Sequence, residues 1–447
     1  ALRREPNDTL ATTNMKNTTI RYAVLAALLA TAPLAAAQSS DAGQSFTVKA
    51  DSGGFSFGTA DGANVIKLRP LVHFDGRFFQ DDAAPDGSDT WLLRRVRPTI
   101  EGTFANRFDF RITPDFAGGR TVLQDAYVAA RFSDAARVQV GKFKAPVGLE
   151  RLQSADDMRF IERSLVTGLV PNRDLGVQLS GDLAGRRVSY AIGLFNGVPD
   201  GGSSDSSSDS DADNDKDIAA RVFVQPFGTN KDHVLAGLGF GIGGTYVDST
   251  GTTDRPLLGS YRSGGQQTIF RWRTGANGTF ADGERLRWSP QFHYYRGPFG
   301  LIGEYAQVSQ DVSRATATGL RSDSVDIEAW QLTASWIVTG EANGYRRPRP
   351  SRPFTVDGGG TGAVEIAVRY NQLEIGDEAF AGGADSFADP AVSVRKAQAW
   401  GVGVNWYLNA NLKWAINYEQ TSFDGGAPLG GDRPDEKVIL TRIAVGF

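Results

Sequence analysis

Residues 397–422 read AQAWGVGVNWYLNANLKWAINYEQTS, and their apolar positions fall on every second residue. Trp400, Val402, Val404, Trp406 and Leu408 share one parity, while Gly401, Gly403 and Asn405 take the other. After a polar break at 409–411, Leu412, Trp414, Ile416 and Tyr418 alternate with Lys413, Ala415, Asn417 and Glu419. Period two predicts strands, and the short Asn-rich joint predicts an antiparallel hairpin. Each arm has about the 9–11 residues that a tilted strand needs to cross a bilayer. Aromatic residues end the apolar stripes, where a membrane interface would hold them. The final KVILTRIAVGF repeats the rhythm, with Ile439, Thr441, Ile443, Val445 and Phe447 on one face and Arg442 on the other.

The same alternation marks candidate strands beginning near Val65, Leu93, Phe108, Leu123, Arg137, Gly176, Arg187, Ile218, Val234, Arg285, Phe299, Asp326, Ala363, Lys396, Leu412 and Lys437. These sixteen form the even set that a closed antiparallel barrel requires when both ends lie on one side. Alternate connections are short (105–107, 133–136, 409–411) and the others long, as in a transmembrane barrel with short periplasmic turns. The expected fold is therefore all-β, a transmembrane antiparallel β-barrel of sixteen strands over residues 65–447. The turn 340–362, rich in Pro and Arg, is long for its side, and the pattern gives no reason for its length. Upstream, Met15, Lys16 and Arg21 precede an apolar run at 22–32 and an Ala35-Ala36-Ala37 end, the three parts of an export signal. Residues 1–14 are read as an upstream extension, 15–37 as a signal peptide and 38–64 as a flexible periplasmic lead-in. Beyond the first forty residues no apolar run reaches the roughly eighteen that a membrane helix needs.

Composition narrows the chemistry. The chain has 447 residues and no Cys, which removes disulfide frameworks and thiolate metal sites. His73, His233 and His293 have no ligand spacing, so neither a metal nor a cofactor is expected. The formal charge of −4 points to no nucleic-acid partner, yet 37 Arg stand against 10 Lys. In the first strand Ile66, Leu68, Val72, Phe74 and Phe78 take the lipid-facing parity, and Lys67, Arg69, His73, Asp75 and Arg77 the lumenal one. Arg95, Arg97, Thr99 and Glu101 of the second strand point inwards, as do Asp109, Arg111, Thr113 and Asp115 of the third. A lipid-facing Arg at mid-bilayer would cost about 2–4 kcal/mol, which enforces this parity. Arg94 breaks it, and is expected at the outer rim or where the strand bends.

Residues 145–175 carry Arg151, Arg159, Arg163 and Arg173 with no early turn, and a connection of that length is expected to fold into the wide lumen. Basic residues outnumber acids over the first three strands and this loop, so the passage is expected to draw anions. In the segment 200–217, Asp209, Asp211 and Asp213 imitate the start of a calcium loop. Asn214 and Ala220 stand where such a loop needs Gly and Glu, so a solvated outer loop is expected.

With these residues in place, the chain resembles the phosphate- and polyphosphate-selective porins of Gram-negative outer membranes from about Val65 to Phe447. The likeness is carried, in order, by WLLRRVRPTIEG (91–102), VGKFKAPVGLERL (140–152), FIERSL (160–165), GVQLSG (176–181), TGE (339–341) and GVNWYLN (403–409). The resemblance implies a homotrimer in outer-membrane lipid that passes inorganic anions such as phosphate, each barrel with its third outer loop folded into the pore. It implies a constriction lined by Arg77, Arg94, Arg95, Arg151 and Arg163, to which inward parity and the loop add Arg97, Arg111 and Arg159. Asp115 resembles an acidic residue of that site, where it would accept from a protonated phosphate oxygen. A last strand ending in Phe447 is similar to the signal read by the barrel-assembly machinery.

One departure bears on selectivity. The family's phosphate-selective members carry an Arg ladder in the fifth outer loop, whereas here 248–283 has Arg255, Arg262, Arg271 and Arg273 spread apart. A general, weakly selective diffusion porin is the alternative. A barrel-mounted enzyme is remote, because it needs a base beside a nucleophile and no Ser flanks His73 and Asp75 in the lumenal row. A plugged structural barrel would need bulky inward residues, and the inward Gly401, Gly403 and Ala415 argue against it.

Overall fold

The computed structural model describes residues 45–80, 87–204 and 214–447. The upstream extension, the signal peptide and the three Asp of the calcium-like stretch lie outside the described residues. Two short strands come first, β1 (Phe46–Asp51) and β2 (Gly54–Thr59). Then follow β3 (Val65–Phe79), β4 (Thr90–Phe104), β5 (Phe108–Asp115), β6 (Val122–Ser133) and β7 (Ala136–Lys144). Next are β8 (Arg173–Leu183), β9 (Val188–Phe195), β10 (Asp217–Val224) and β11 (Leu238–Thr250). Within the following connection β12 (Tyr261–Arg262) and β13 (Thr268–Phe270) form a small hairpin of their own. The chain ends with β14 (Thr279–Arg296), β15 (Phe299–Thr316), β16 (Gly319–Ile337), β17 (Ala363–Ile375), β18 (Val394–Tyr407), β19 (Leu412–Gly425) and β20 (Glu436–Gly446).

Each strand from β3 to β20, leaving aside β12 and β13, pairs antiparallel with the next, and β20 pairs with β3 from Val438↔Phe79 to Gly446↔Leu71. Sixteen strands therefore close into a barrel without a free edge.

The expected strand starts coincide with the observed ones at Val65, Phe108, Phe299, Ala363 and Leu412. β14 and β16 start earlier than expected, at Thr279 and Gly319, because polarity inverts along them. On β16, Trp336, Leu332 and Trp330 face outwards but Glu328 and Asp326 take over beyond them. Inwards, Thr333 and Gln331 give way to Ala329, Ile327 and Val325. β15, β17, β18 and β19 change likewise, with Gln307, Gln372, Gln398 and Gln420 following the outward Tyr305, Tyr370, Trp400 and Tyr418. This aromatic row marks the upper membrane interface. Above it these strands resemble a sheet of a water-soluble protein, polar outside and apolar inside.

That inner apolar surface is covered. Val166, Leu169 and Val170 of the β7–β8 connection, Ile269 and Phe270 of β13, and Phe380 and Phe387 of the β17–β18 connection pack against Val308, Ile327 and Leu373. Open space is left along the β4–β8 wall.

Part of the segment read as a flexible lead-in is ordered sheet, which corrects that reading. β1 pairs with β2 from Phe46↔Thr59 to Asp51↔Gly54, and β2 pairs with the start of β3 from Phe55↔Leu68 to Gly58↔Val65. Gly54 permits this turn, with φ of 101° and the Leu68 carbonyl oxygen 2.3 Å from where a Cβ would stand. Its arms are only six residues long with two large apolar positions each, Phe46 and Val48, then Phe55 and Phe57, a short alternation set among the small and polar residues of 38–64.

Candidate functional site

β4 carries the basic wall, and a one-residue bulge lets it present two consecutive arginines. The β3–β4 register runs through Val72↔Val96 and His73↔Arg95, then jumps to Phe74↔Leu93, which makes Arg94 the extra residue. A bulge re-aims a side chain. Arg94 turns inwards, its Nε donating to Glu162 Oε1 at 2.7 Å and its Nη2 to Oε2 at 3.2 Å. Arg95, 4% exposed, donates from Nη1 to His73 Nδ1 at 3.2 Å. Arg has no acceptor, so His73 carries its proton on Nε2, which faces Asp156 Oδ1 at 3.9 Å. Arg97 Nε donates to Asp115 Oδ2 at 2.7 Å.

Two cavities follow this wall. The outer one, about 890 Å³, is lined by Arg94, Arg95, Arg97, Arg120, Lys144, Arg151, Arg163, Arg173 and Arg262, with Asp115, Glu162 and Asp200 as its acids. The inner one, about 320 Å³, sets Arg69, Arg97, Arg111, Lys144 and Arg173 against Glu101, Asp125 and Asp156. Arg97, Lys144, Ala155 and Arg173 border both, so the cavities meet at a collar of three cations.

Side chains of β15, β17, β19 and β20 hold the β7–β8 connection. Glu304 of β15 accepts the backbone N–H of Leu149 at 2.8 Å and of Glu150 at 2.9 Å. Asn417 accepts from Ile161 at 2.6 Å and Asn371 from Leu165 at 2.9 Å. Lys413 donates to the Met158 carbonyl at 2.9 Å, Arg442 to that of Ile161 at 2.8 Å and Arg369 to that of Glu162 at 3.0 Å. A buried segment without ladder partners needs such bonds. Gly243 and Gly401 admit it, since a Cβ would lie 2.7 Å from the Val147 carbonyl oxygen and 3.0 Å from Phe160 respectively. Gly401 thus makes room for this connection rather than for an open bore.

The long turn 340–362 reaches the same connection, which accounts for its length. Tyr345 donates its hydroxyl to the Leu149 carbonyl at 2.5 Å and accepts from Gln153 Nε2 at 2.6 Å on its own carbonyl. The Arg347 amide donates to Asp157 Oδ1 at 3.0 Å, and its guanidinium pairs with Asp156.

The electrostatics are one-sided. Burial raises the Glu162 carboxyl, but Arg94, by charge and hydrogen bond, with Arg95 and Arg442 behind it, holds it well below the usual carboxylate range. Burial, reinforced by Arg163 and Arg173, pulls the Arg151 guanidinium down to about 9. Burial likewise brings Arg163 down to about 10, with Glu150 opposing. Both shifts are led by burial, to which neighbouring guanidinium groups add. The Nε–H groups of Arg77, Arg95 and Arg151 are buried without a hydrogen-bond partner in the protein.

Of the residues singled out from the sequence, Arg94, Arg95, Arg97, Asp115, Arg151 and Arg163 line the outer cavity, and Arg97 and Arg111 the inner one. Arg77 is half-buried on β3 and lines neither. Arg159 is a correction, because it lines neither cavity and is turned into acceptors supplied by β17 and the long turn. It binds Glu365 at 3.3 Å, Asn343 Oδ1 at 2.9 Å and the carbonyls of Gly344 and Tyr345. Asp115 is in place, but its oxygens are engaged by Arg97 and by the N–H groups of Val96 and Ala117 at 3.1 and 3.2 Å. Lys144 is an addition, and Arg173, named above with the connection, joins it at the collar, the two ending β7 and beginning β8 as direct ladder partners. That pairing was legible once the hairpin register was drawn.

A closed sixteen-stranded barrel with an apolar exterior and a cation-lined passage defines a channel of the Gram-negative outer membrane. Residues 66–447 match the family described as phosphate-selective porin O and P, and the chain belongs to that family of porins, not to an enzyme family. Among solved structures, the outer membrane channel DcaP of Acinetobacter baumannii is 11% identical with a TM-score of 0.53, covering 88% of this chain and 99% of that one. The anion-selective porin from Comamonas acidovorans is 14% identical with a TM-score of 0.51, covering 86% and 100%. OmpT of Vibrio cholerae in its trimer form is 10% identical with a TM-score of 0.51, again covering 86% and 100%. At such identities the likeness is one of fold. An uncharacterized protein of Caulobacter vibrioides is 34% identical over 104 residues, which is 22% of this chain and 18% of that protein.

Proposed function

We propose that the chain forms a homotrimeric diffusion channel that prefers anions and takes phosphate at its Arg-rich collar. The charge of the outer cavity carries this reading, nine basic side chains against three acidic ones leading to Arg97, Lys144 and Arg173. In a narrow passage such an excess concentrates anions and repels cations. The β7–β8 connection is the third outer loop, folded inwards to set the width of the passage. Its bonds to Glu304, Asn371 and Asn417 support that role. The trimer form of the Vibrio cholerae barrel supports the assembly.

A second reading, general anion preference with weak phosphate binding, is favoured by the fifth outer loop. There Arg262 lines the outer cavity, while Arg273 is committed to Ser386 and Asp389. Reversal potentials of the refolded protein across a KCl gradient, followed by phosphate titration, separate the two. Anion selectivity with chloride current blocked by phosphate, and less block in Arg95→Ala and Arg163→Ala, is expected. Anion selectivity without block leaves the second reading standing. A cation-selective or unselective pore overturns both.

A further inference from the structure

Below the aromatic row, the lipid-facing surface holds a groove of about 750 Å³ that runs across β10, β11, β14, β15 and β16. Small-molecule sites have volumes of about 300–1,000 Å³. Trp330 is the ladder partner of Tyr305, and Ile242 that of both Pro290 and Val222, so one outward row crosses all five strands. The row beneath passes from Leu332 through Gly303 and Phe292 to Val224. Two small residues open the groove. Pro290 rises little above the sheet. A Cβ on Gly303 would stand 2.3 Å from Phe292 Cε1, so the Phe292 ring lies down over Gly303 and becomes the floor.

The groove descends as it crosses the strands. On β16 it starts at the interface, because the outward residues above Trp330 are Glu328 and Asp326. On β14 the outward Trp288 and Leu286 stand between Pro290 and Glu284, and on β11 the outward Tyr246 stands above Ile242. The same row thus lies at the surface on β16 and deeper in the hydrocarbon on β14 and β11, as tilted strands require. Four inter-strand spacings give it a length of about 19 Å. Gln291 and Glu304 border it, but their side chains turn inwards to the Val147 carbonyl and the Leu149 N–H. A slot that opens at headgroup level and descends between apolar walls has the shape of an acyl chain.

Charge at the upper end selects the headgroup. Tyr305 donates its hydroxyl to Glu328 Oε2 at 2.8 Å and holds this carboxylate over the entrance. Asp326 stands one outward position higher, and Glu374 is the ladder partner of Glu328. Against these three acids stands Lys396, 3.2 Å from Glu374. We propose that the groove holds one acyl chain of a phospholipid whose ammonium headgroup rests on Glu328 and Asp326. Such a surface attracts an ammonium and repels a purely anionic headgroup. The site lies on the outside of the wall and is independent of the ion preference of the passage.

Native mass spectrometry of the full chain in detergent tests it, after equilibration with equal amounts of phosphatidylethanolamine and phosphatidylglycerol of identical acyl chains. Lipopolysaccharide serves as a third arm. Retention of the ethanolamine lipid about fivefold over the glycerol lipid is expected, the upper end for an exposed ion pair. Pro290→Trp and Val222→Trp fill the groove and should lose the bound lipid with conductance unchanged, whereas Val402→Trp, outside it, should keep the lipid. Glu328→Gln combined with Asp326→Asn should retain the two phospholipids equally. Equal retention by the wild type, or a preference for lipopolysaccharide, overturns the headgroup assignment. Retention unchanged in both groove-filling variants overturns the groove.

Discussion

Arg94 Nε lies 2.7 Å from Glu162, although strand alternation assigns Arg94 to the lipid side. The bulge at Phe74↔Leu93 resolves the conflict and ties the basic wall to the β7–β8 connection with a charge-assisted fork.

Glu162→Gln removes an acid packed among Arg94, Arg95 and Arg442 and leaves the lumen one charge more positive. One unit charge at about 6 Å in a water-filled lumen is worth about 0.7 kcal/mol, roughly a threefold change in permeability ratio. The anion-to-cation ratio is expected to rise by that order, and to fall in Arg94→Ala. Unchanged reversal potentials in both variants would place the pair away from the ion path.

Glu304→Ala strips the acceptor from two buried N–H groups, those of Leu149 and Glu150. An unsatisfied buried donor costs about 1–3 kcal/mol. The variant is expected to unfold at lower temperature and to show noisier single-channel current, whereas Glu304→Gln, which keeps an acceptor oxygen, should lose less. Quiet wild-type-like traces from Glu304→Ala would show that other bonds suffice.

Replacing 346–352 by a short Gly-Ser turn removes Arg347 from Asp156 and Asp157. Asp156 then faces the inner cavity without its guanidinium partner, so a larger conductance with weaker anion preference is expected in bilayer recordings. A smaller conductance would contradict the bracing role of this turn.

Asp156 should give the channel a pH response. Burial raises its carboxyl, with Arg347 and Lys413 opposing, and Asp157 adding to the rise. His73 faces it as well. A raised carboxyl takes its proton early as pH falls, so a negative charge beside the inner cavity is lost ahead of ordinary acids. Anion preference is expected to climb as pH falls from about 7 to about 4. Asp156→Asn should show the low-pH value already at neutrality, and an equal climb in that variant would assign the response to other groups.

The strands were legible because a lipid-facing side and a wet side alternate along each one. All sixteen were found this way, and their starts drifted where the alternation changes meaning, as on β16 beyond Trp330. The inward Val308, Ile327 and Leu373 form a core that alternation alone does not reveal, because the connections that cover them come from distant parts of the chain. Arg94 was flagged as an exception, but a bulge depends on the partner strand and cannot be read from one strand. The pairing of Lys144 with Arg173 is hidden for a related reason, since they become neighbours only when β7 and β8 are put in register. Arg159 misled because charge in the right loop says nothing of which acceptors the long turn brings to it.

The two cavities have a further consequence. Nine bases face three acids in the outer one, and five face three in the inner one, so fixed charge steps down along the axis. A conduit with such a step rectifies, because one sign of voltage accumulates carriers at the junction and the other depletes them. Charges are screened over about 10 Å at 0.1 M salt but about 3 Å at 1 M. The protein should therefore behave as a diode in dilute medium, admitting anions more readily in one direction, and as an ordinary resistor in brine.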